Sequence, residues 1–253
     1  GPVMYTPRVL LTAAVALLLP QAQVIHDARP VLGTVVQISV WTDSPEDARG
    51  AITAAWSEIA RLEAIFSEWQ PDSEVSRVNR RAAAERVGVS PELHHVLRRS
   101  VQIGVQSGGA FDVTWAALRG LWDFRAGRIP SAAKVGEALS RVGLSGLSLD
   151  DRSVRFLRPG VQLGLGGIAK GYIVDRVSAL LTARGFDSHI IDAGGDVFAS
   201  GSKGEAAWSV GIRHPRTGGD ALMGVVASRD EAVVTSGDYE RFFIVDQVRY
   251  HHI

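Results

Sequence analysis

The sequence predicts an α+β fold in which helices come first and mostly antiparallel strands follow. Three observations carry that reading. From Ser44 to Gly109 the apolar residues recur at steps of three and four. From Ser188 onward they alternate in short runs broken by Gly, Ser and Asp. Between these regions lies Leu163-Gly164-Leu165-Gly166-Gly167-Ile168-Ala169-Lys170-Gly171, where glycines and a lysine lead into another helical pattern. With 253 residues, 46% of them hydrophobic, the chain can bury a large core. No internal repeat, low-complexity tract or linker divides it.

The N-terminal stretch reads differently. Arg8 precedes an apolar run from Val9 to Leu19, and Pro20-Gln21-Ala22 follows. One positive charge, an apolar run too short to span a bilayer and then a small residue form the pattern of a secretory leader. A buried core helix is the alternative, and the lack of any polar face disfavours it. The expected division is a leader over residues 1–23 and one folded domain over residues 24–253. Basic and acidic residues balance at 27 each, so there is no electrostatic basis for binding nucleic acid. Cysteine is absent, which excludes disulfides and a thiol nucleophile.

Taken in order, Val31 to Trp41 alternates as a strand. Ser44-Pro45-Glu46-Asp47 then has an N-cap, a proline at the first helical position and acids in the first turn. Ile52, Trp56, Ile59, Leu62, Phe66 and Trp69 follow as the apolar stripe of a long helix, most of them expected in the core. Ser76 to Asn79 is a short turn or helix. Ser90-Pro91-Glu92 starts a second long helix that ends at Ser107-Gly108-Gly109. His94 and His95 lie on it without a third ligand at metal spacing, and read as surface residues. Pro130-Ser131 opens a helix through Val142, and Leu147 to Phe156 reads as a hairpin. Ser188 to Gly201 is strand, glycine pair, strand. Trp208–Ile212, Leu222–Ala227 and Ala232–Thr235 are strands, and Phe242–Val245 with Val248–His252 form a last hairpin.

The glycine stretch admits three readings. With Val161 and Leu163 as a short strand before it, backbone N–H groups, a helix N-terminus and Lys170 together make an anion site suited to a phosphate. A glycine turn can also simply pack a helix against a strand. Gly164-x-Gly166-x-x-Ala169 further fits the dinucleotide fingerprint, with Asp192 as the ribose acid of a nicotinamide-dependent oxidoreductase. Asp112, just after a flexible turn, could cap a helix or meet a ligand.

Several blocks together resemble one family. They are Leu32-Gly33-Thr34, Phe66-Ser67-Glu68-Trp69-Gln70-Pro71-Asp72-Ser73-Glu74, Gly109-Ala110-Phe111-Asp112-Val113, Leu165-Gly166-Gly167-Ile168-Ala169-Lys170-Gly171, Ile191-Asp192-Ala193-Gly194-Gly195-Asp196-Val197 and Thr235-Ser236-Gly237-Asp238-Tyr239-Glu240-Arg241. In wording and order they resemble the ApbE-type FAD:protein FMN transferases. The resemblance implies a T-fold-like α+β architecture with FAD in a central cleft. It implies Mg²⁺ at the pyrophosphate and transfer of FMN to a threonine or serine hydroxyl of a target protein, with release of AMP. It implies an acceptor carrying a Ser/Thr-Gly-Ala-Thr/Ser-like motif and an exported or periplasmic location, with the leader as a possible inner-membrane attachment. Hydrolysis of FAD to FMN and AMP, or FAD binding without catalysis, are the alternatives.

Residue by residue, the resemblance implies the following. Leu32 lines the pocket where a methionine is usual, and Trp69 stacks on the flavin system. Ala110, Phe111 and Asp112 contact FAD. The carbonyl of Gly167 is a Mg²⁺ ligand, and Lys170 pairs with flavin or phosphate oxygens. His252 deprotonates the acceptor hydroxyl, with Ile253 beside it among the cofactor-contacting positions. Gly164 stands where family members usually carry an aspartate. The family pattern also continues past the position of Ile253 to an Asp and a Thr that complete the Mg²⁺ site. The expectation is therefore a fragment or a degenerate member with weak Mg²⁺ binding and little transferase activity.

Overall fold

The computed structural model describes residues 21–217, 219, 221–238 and 242–252. Most of the expected leader lies outside the described residues, as do Ile253 and the end of the polar turn at Tyr239, Glu240 and Arg241. None of the described helices is long and apolar enough to cross a membrane.

The first strands, β1 (Gln23–Val31) and β2 (Thr34–Thr42), pair as a hairpin. Its turn is Leu32-Gly33, at φ +57° and +71°. Two positive φ values match the twist of the flanking strands, at a steric cost for leucine. Reading the sequence missed β1 because only Ile25 of it is buried, so no alternation marks it. Next come α1 (Pro45–Phe66), α2 (Glu74–Arg81), β3 (Val87–Gly88), α3 (Pro91–Gln106) and α4 (Ala132–Leu139). Then follow β4 (Leu147–Asp150), β5 (Ser153–Phe156), α5 (Ala169–Ala183), β6 (His189–Ala193) and β7 (Asp196–Ser200). β8 (Trp208–Arg213), β9 (Leu222–Ser228), β10 (Glu231–Val234), β11 (Phe242–Val245) and β12 (Val248–His251) complete the order.

Proline and serine set the helix starts. Ser90 Oγ accepts from Leu93 N at the head of α3, and Ser131 Oγ accepts from Lys134 N at the head of α4. Ser44 makes no such bond at the head of α1, and its hydroxyl donates to Asp43 instead. The stripe of α1 is buried at Ile52, Trp56, Ile59, Leu62 and Phe66. Each contributes about 1.5–3 kcal/mol of transfer free energy. Trp69 departs from the stripe: the helix ends at Phe66, and the indole is 78% exposed.

The central sheet has the order β1-β2-β6-β7-β10, and every neighbouring pair is antiparallel. The dinucleotide reading needs a parallel sheet beside the glycine turn, so this arrangement removes it. Alternation gives the sheet two distinct faces. Val36, Ile38 and Val40 of β2 are buried with Ile191 and Ala193 of β6 in the same core as the stripes of α1 and α5. Val35, Gln37 and Ser39 of β2 stand on the opposite face with Ile190 and Asp192 of β6. A smaller sheet, β3-β5-β4, and the separate hairpins β8–β9 and β11–β12 surround this layer.

Val161 and Leu163 do not form a strand. They are buried in an extended segment whose one ladder contact is a bridge from Gln162 to Trp115. Asn79 of α2 supplies the missing partner. Its Oδ1 accepts from Leu163 N at 2.8 Å, and its Nδ2 donates to Leu163 O at 3.1 Å. The side-chain amide thus imitates a neighbouring peptide, which satisfies backbone groups that burial would otherwise strand.

His189 is fully buried. Its Nδ1 lies 2.8 Å from the Phe186 carbonyl, and its Nε2 lies 2.8 Å from Ser178 Oγ. A neutral ring satisfies both contacts, with Nδ1–H donating to the carbonyl and Nε2 accepting from the hydroxyl. Burial lowers its pKa below the ordinary 6.5, against opposing effects of the Phe186 carbonyl, Asp187 and Asp230. The unfolded chain then binds a proton below pH 6.5 that the folded chain refuses. Stability from this residue is complete above that pH and declines as pH falls toward the lowered pKa, by at most about 1.4 kcal/mol per pH unit. Urea unfolding at pH 7.5 and 5.5 is expected to show this decline in the wild type and a shallower one in His189→Gln.

Candidate active site

The open face of the central sheet floors a cleft of about 1390 Å³. That exceeds the roughly 300–1,000 Å³ of ordinary small-molecule sites and suits a ligand as long as a dinucleotide. The glycine turn and the first turn of α5 supply Gly166, Gly167 and Lys170. The loop after α3 supplies Ala110, Phe111 and Asp112. The turn after α1 brings Glu68 and Trp69, and Ser209 to Arg213 of β8 face them.

Most positions chosen from sequence meet here. Leu32, Trp69, Ala110, Phe111, Asp112, Gly167, Lys170 and His252 all line the one cleft, although they come from distant parts of the chain. Gly164 does not line it. It is buried, its N–H donates to Val113 O at 2.8 Å, and its carbonyl accepts from Trp115 Nε1 at 3.0 Å. A Cβ at that position would lie 2.6 Å from Trp115 Cε2, so glycine is needed for the indole to close over it. Ile253 lies outside the described residues.

The polar groups are arranged differently from what the sequence suggested. Lys170 Nζ pairs with Asp196 Oδ2 at 2.8 Å and donates to Ala193 O at 3.4 Å. The ammonium therefore braces the β6–β7 turn from the first turn of α5. Asp112 Oδ1 accepts from Thr114 N at 2.7 Å and from Thr114 Oγ1 at 2.6 Å, an Asx turn that leaves its other oxygen for the cleft. Asp192 Oδ1 accepts from Gly195 N at 2.8 Å. Gly194, at φ +68°, passes so close to Thr34 that a Cβ there would lie 2.8 Å from the Thr34 Cβ and Cγ2 atoms.

The glycine turn already holds an anion of the protein's own. Glu68 Oε1 accepts from the N–H groups of Leu165 and Gly166, the latter at 3.1 Å. Its Oε2 pairs with the Arg119 guanidinium. The anion cradle read from the sequence is thus occupied in part by a carboxylate whose side chain is only 7% exposed. Sequence reading missed both partners. Glu68 lies within the motif over residues 66–74, whose wording points to Trp69 instead, and Arg119 belongs to no motif.

Magnesium was expected at the carbonyl of Gly167, a residue that lines the cleft. Among the described residues no three His, Cys, Asp or Glu side chains group together as a metal site. One carbonyl falls well short of the six oxygens a magnesium ion takes, so the described residues do not complete a site for it.

A model of the ApbE family matches residues 32–253. The chain belongs to the ApbE family. The FAD:protein FMN transferase of Treponema pallidum (strain Nichols) is 36% identical over 245 residues, an alignment covering 89% of this ApbE chain and 68% of the relative. The FAD:protein FMN transferase of Rhodobacter capsulatus is 29% identical over 250 residues, covering 96% of this chain and 47% of the relative. The chain therefore spans less than half the length of that second relative. Among solved structures, the ApbE protein of Thermotoga maritima superimposes with a TM-score of 0.81 at 33% identity, over 91% of this chain and 75% of that one. The flavin transferase ApbE of Vibrio cholerae gives 0.80 at 26% identity, over 92% and 76%. The α+β architecture expected from sequence is thus the architecture of ApbE flavin transferases.

Proposed function

We propose that this ApbE-family chain binds FAD in the cleft and transfers its FMN half to a threonine or serine hydroxyl of an acceptor protein, releasing AMP. The observation that carries the reading is the cleft itself, where residues from 32 to 252 converge around a space of dinucleotide size. Family membership and the relatives' flavin-transferase names support it. In the proposed reaction the acceptor oxygen attacks the FMN phosphorus. The bond from that phosphorus to the bridging oxygen breaks, AMP departs with the bridge, and the hydroxyl proton passes to His252. An imidazole nitrogen is a competent acceptor for that proton. The remaining protein groups position and stabilise charge, as phosphoryl transfer requires.

A requirement for Mg²⁺ belongs to the same proposal. The ion lowers the cost of charge on the pyrophosphate. Since the described residues leave it short of ligands, no step is assigned to it. Transfer is expected to rise with added Mg²⁺ into the millimolar range, where a completed protein site would already be saturated. Export to the periplasm and attachment through the leader are also proposed, on the apolar run from Val9 to Leu19, and cell fractionation checks them.

The decisive experiment incubates the chain with FAD, Mg²⁺ and an acceptor carrying a Ser/Thr-Gly-Ala-Thr/Ser motif. Covalent flavin fluorescence on the acceptor in a denaturing gel is the expected result. That no three potential metal-ligating side chains group together among the described residues favours one second reading, FAD binding without transfer. Flavin binding with an unlabelled acceptor and no AMP would establish that reading, and AMP without label would establish hydrolysis.

A further inference from the structure

Trp69 is the most exposed large apolar residue of the described chain, at 78%, and it lines the cleft. The turn that carries it, between α1 and α2, gives such a side chain little to lean on. Its support comes from elsewhere. The Arg119 guanidinium carbon lies 5.1 Å from the centre of the Trp69 ring and 5.4 Å from the centre of the Trp115 ring. Trp115 is fixed in turn by its Nε1 bond to Gly164 O and by the absence of a Cβ beneath it. Arg119 is fixed on its polar side by Glu68, which is held by the amides of Leu165 and Gly166. The backbone at Gly164, the Trp115 ring, the Arg119 guanidinium and the Trp69 ring are therefore linked contact by contact, from the base of the glycine turn to the cleft.

We propose that Glu68 and Arg119 are positioning residues for ring recognition: the Glu68 carboxylate, seated on the glycine turn, fixes Arg119 against Trp115, and Arg119 holds the exposed Trp69 indole in place as the stacking face for a flat ring of the substrate. This rests on the flavin reading above for the identity of the ring and on the geometry alone for the ordering of Trp69. Two physical effects favour it. A guanidinium over an indole is an attractive pairing whose planar shape suits stacking on both sides. An aromatic side chain ordered before binding spares the ligand the entropy of ordering it. Neither residue touches a reacting atom, so the effect belongs in binding and not in turnover.

The test uses the full chain and the variants R119M, W69A and the double variant. Near-ultraviolet circular dichroism without ligand is expected to lose, in R119M, the same tryptophan bands that W69A removes. Titration with FAD, followed by fluorescence, is expected to give about a fivefold weaker Kd in R119M, with KM rising in step and kcat within about twofold of wild type. In the W69A background, R119M is expected to add less than about twofold, because its effect runs through the indole. Unchanged tryptophan bands in R119M overturn the ordering claim, whether or not FAD binds. An undiminished effect of R119M in the W69A background overturns it also, because Arg119 then acts on the ligand directly. Loss of the same bands in R119M and W69A, beside a wild type that binds no FAD, would sink the flavin reading and the stacking half of this proposal, and would leave Arg119 as an organiser of Trp69. Should R119M fail to fold, E68Q replaces it. Gln accepts from the turn amides through its carbonyl but loses the ion pair. The same band loss at reduced size is expected, and no band loss rejects the proposal.

Discussion

His252→Ala is expected to lower FMN transfer by about 10²–10⁴-fold while leaving the Kd for FAD within about twofold. A general base acts on the proton that moves in the transition state, so its removal lowers kcat and kcat/KM together. His252 follows β12 and lines the same cleft as the glycine turn, next to a hairpin that contributes no residue to the central core. Its loss should therefore leave the fold unaffected. Stopped assays of AMP release and acceptor labelling, with FAD affinity measured in parallel, check the result. A wild-type rate in the variant would assign proton removal to another group.

Glu68→Ala is expected to cost about 3–5 kcal/mol of stability, the range for removing one side of a buried charge pair. Three donors lose their acceptor at once: the N–H groups of Leu165 and Gly166 and the Arg119 guanidinium. For a chain of this size that corresponds to roughly 6–20 °C in Tm. Glu68→Gln should recover much of the loss, since its carbonyl can still accept from the amides. Thermal unfolding of the two variants beside wild type separates these outcomes. Equal Tm values for wild type and Glu68→Ala would show that water serves the turn as well as the carboxylate does.

The helices and later strands were legible because their signals are local. Ser90-Pro91 followed by Leu93, Val96 and Leu97 marks the start and the buried face of α3, and both are observed. The paired glycines between Asp192 and Asp196 mark the tight turn of the β6–β7 hairpin. What failed was non-local. Val161 and Leu163 alternate like a strand, but their backbone partner is a side chain of Asn79, which no window around residue 161 contains. β1 has one buried residue and is a strand because β2 pairs with it along its length. The site positions came mainly from motif wording, whereas the pairing of Glu68 with Arg119 requires two segments to meet in space. The same limit hid the Lys170–Asp196 pair. The sequence suggests a lysine ready for phosphate, and the fold gives it a carboxylate partner.

Strand β2 lies beside β6, with Val36 opposite Ala193, although the whole helical region separates them in the chain. While the protein is being made, β2 thus has only β1 for a strand neighbour until Ala193 has emerged from the ribosome. Val36, Ile38 and Val40 of that early hairpin can meet α1 once it emerges, but the β2 edge that pairs with β6 stays open through most of synthesis. Closing so long a connection is slow, because its entropy is lost before the strand contacts are gained. Refolding from urea should therefore lag well behind that of a helical protein of equal length.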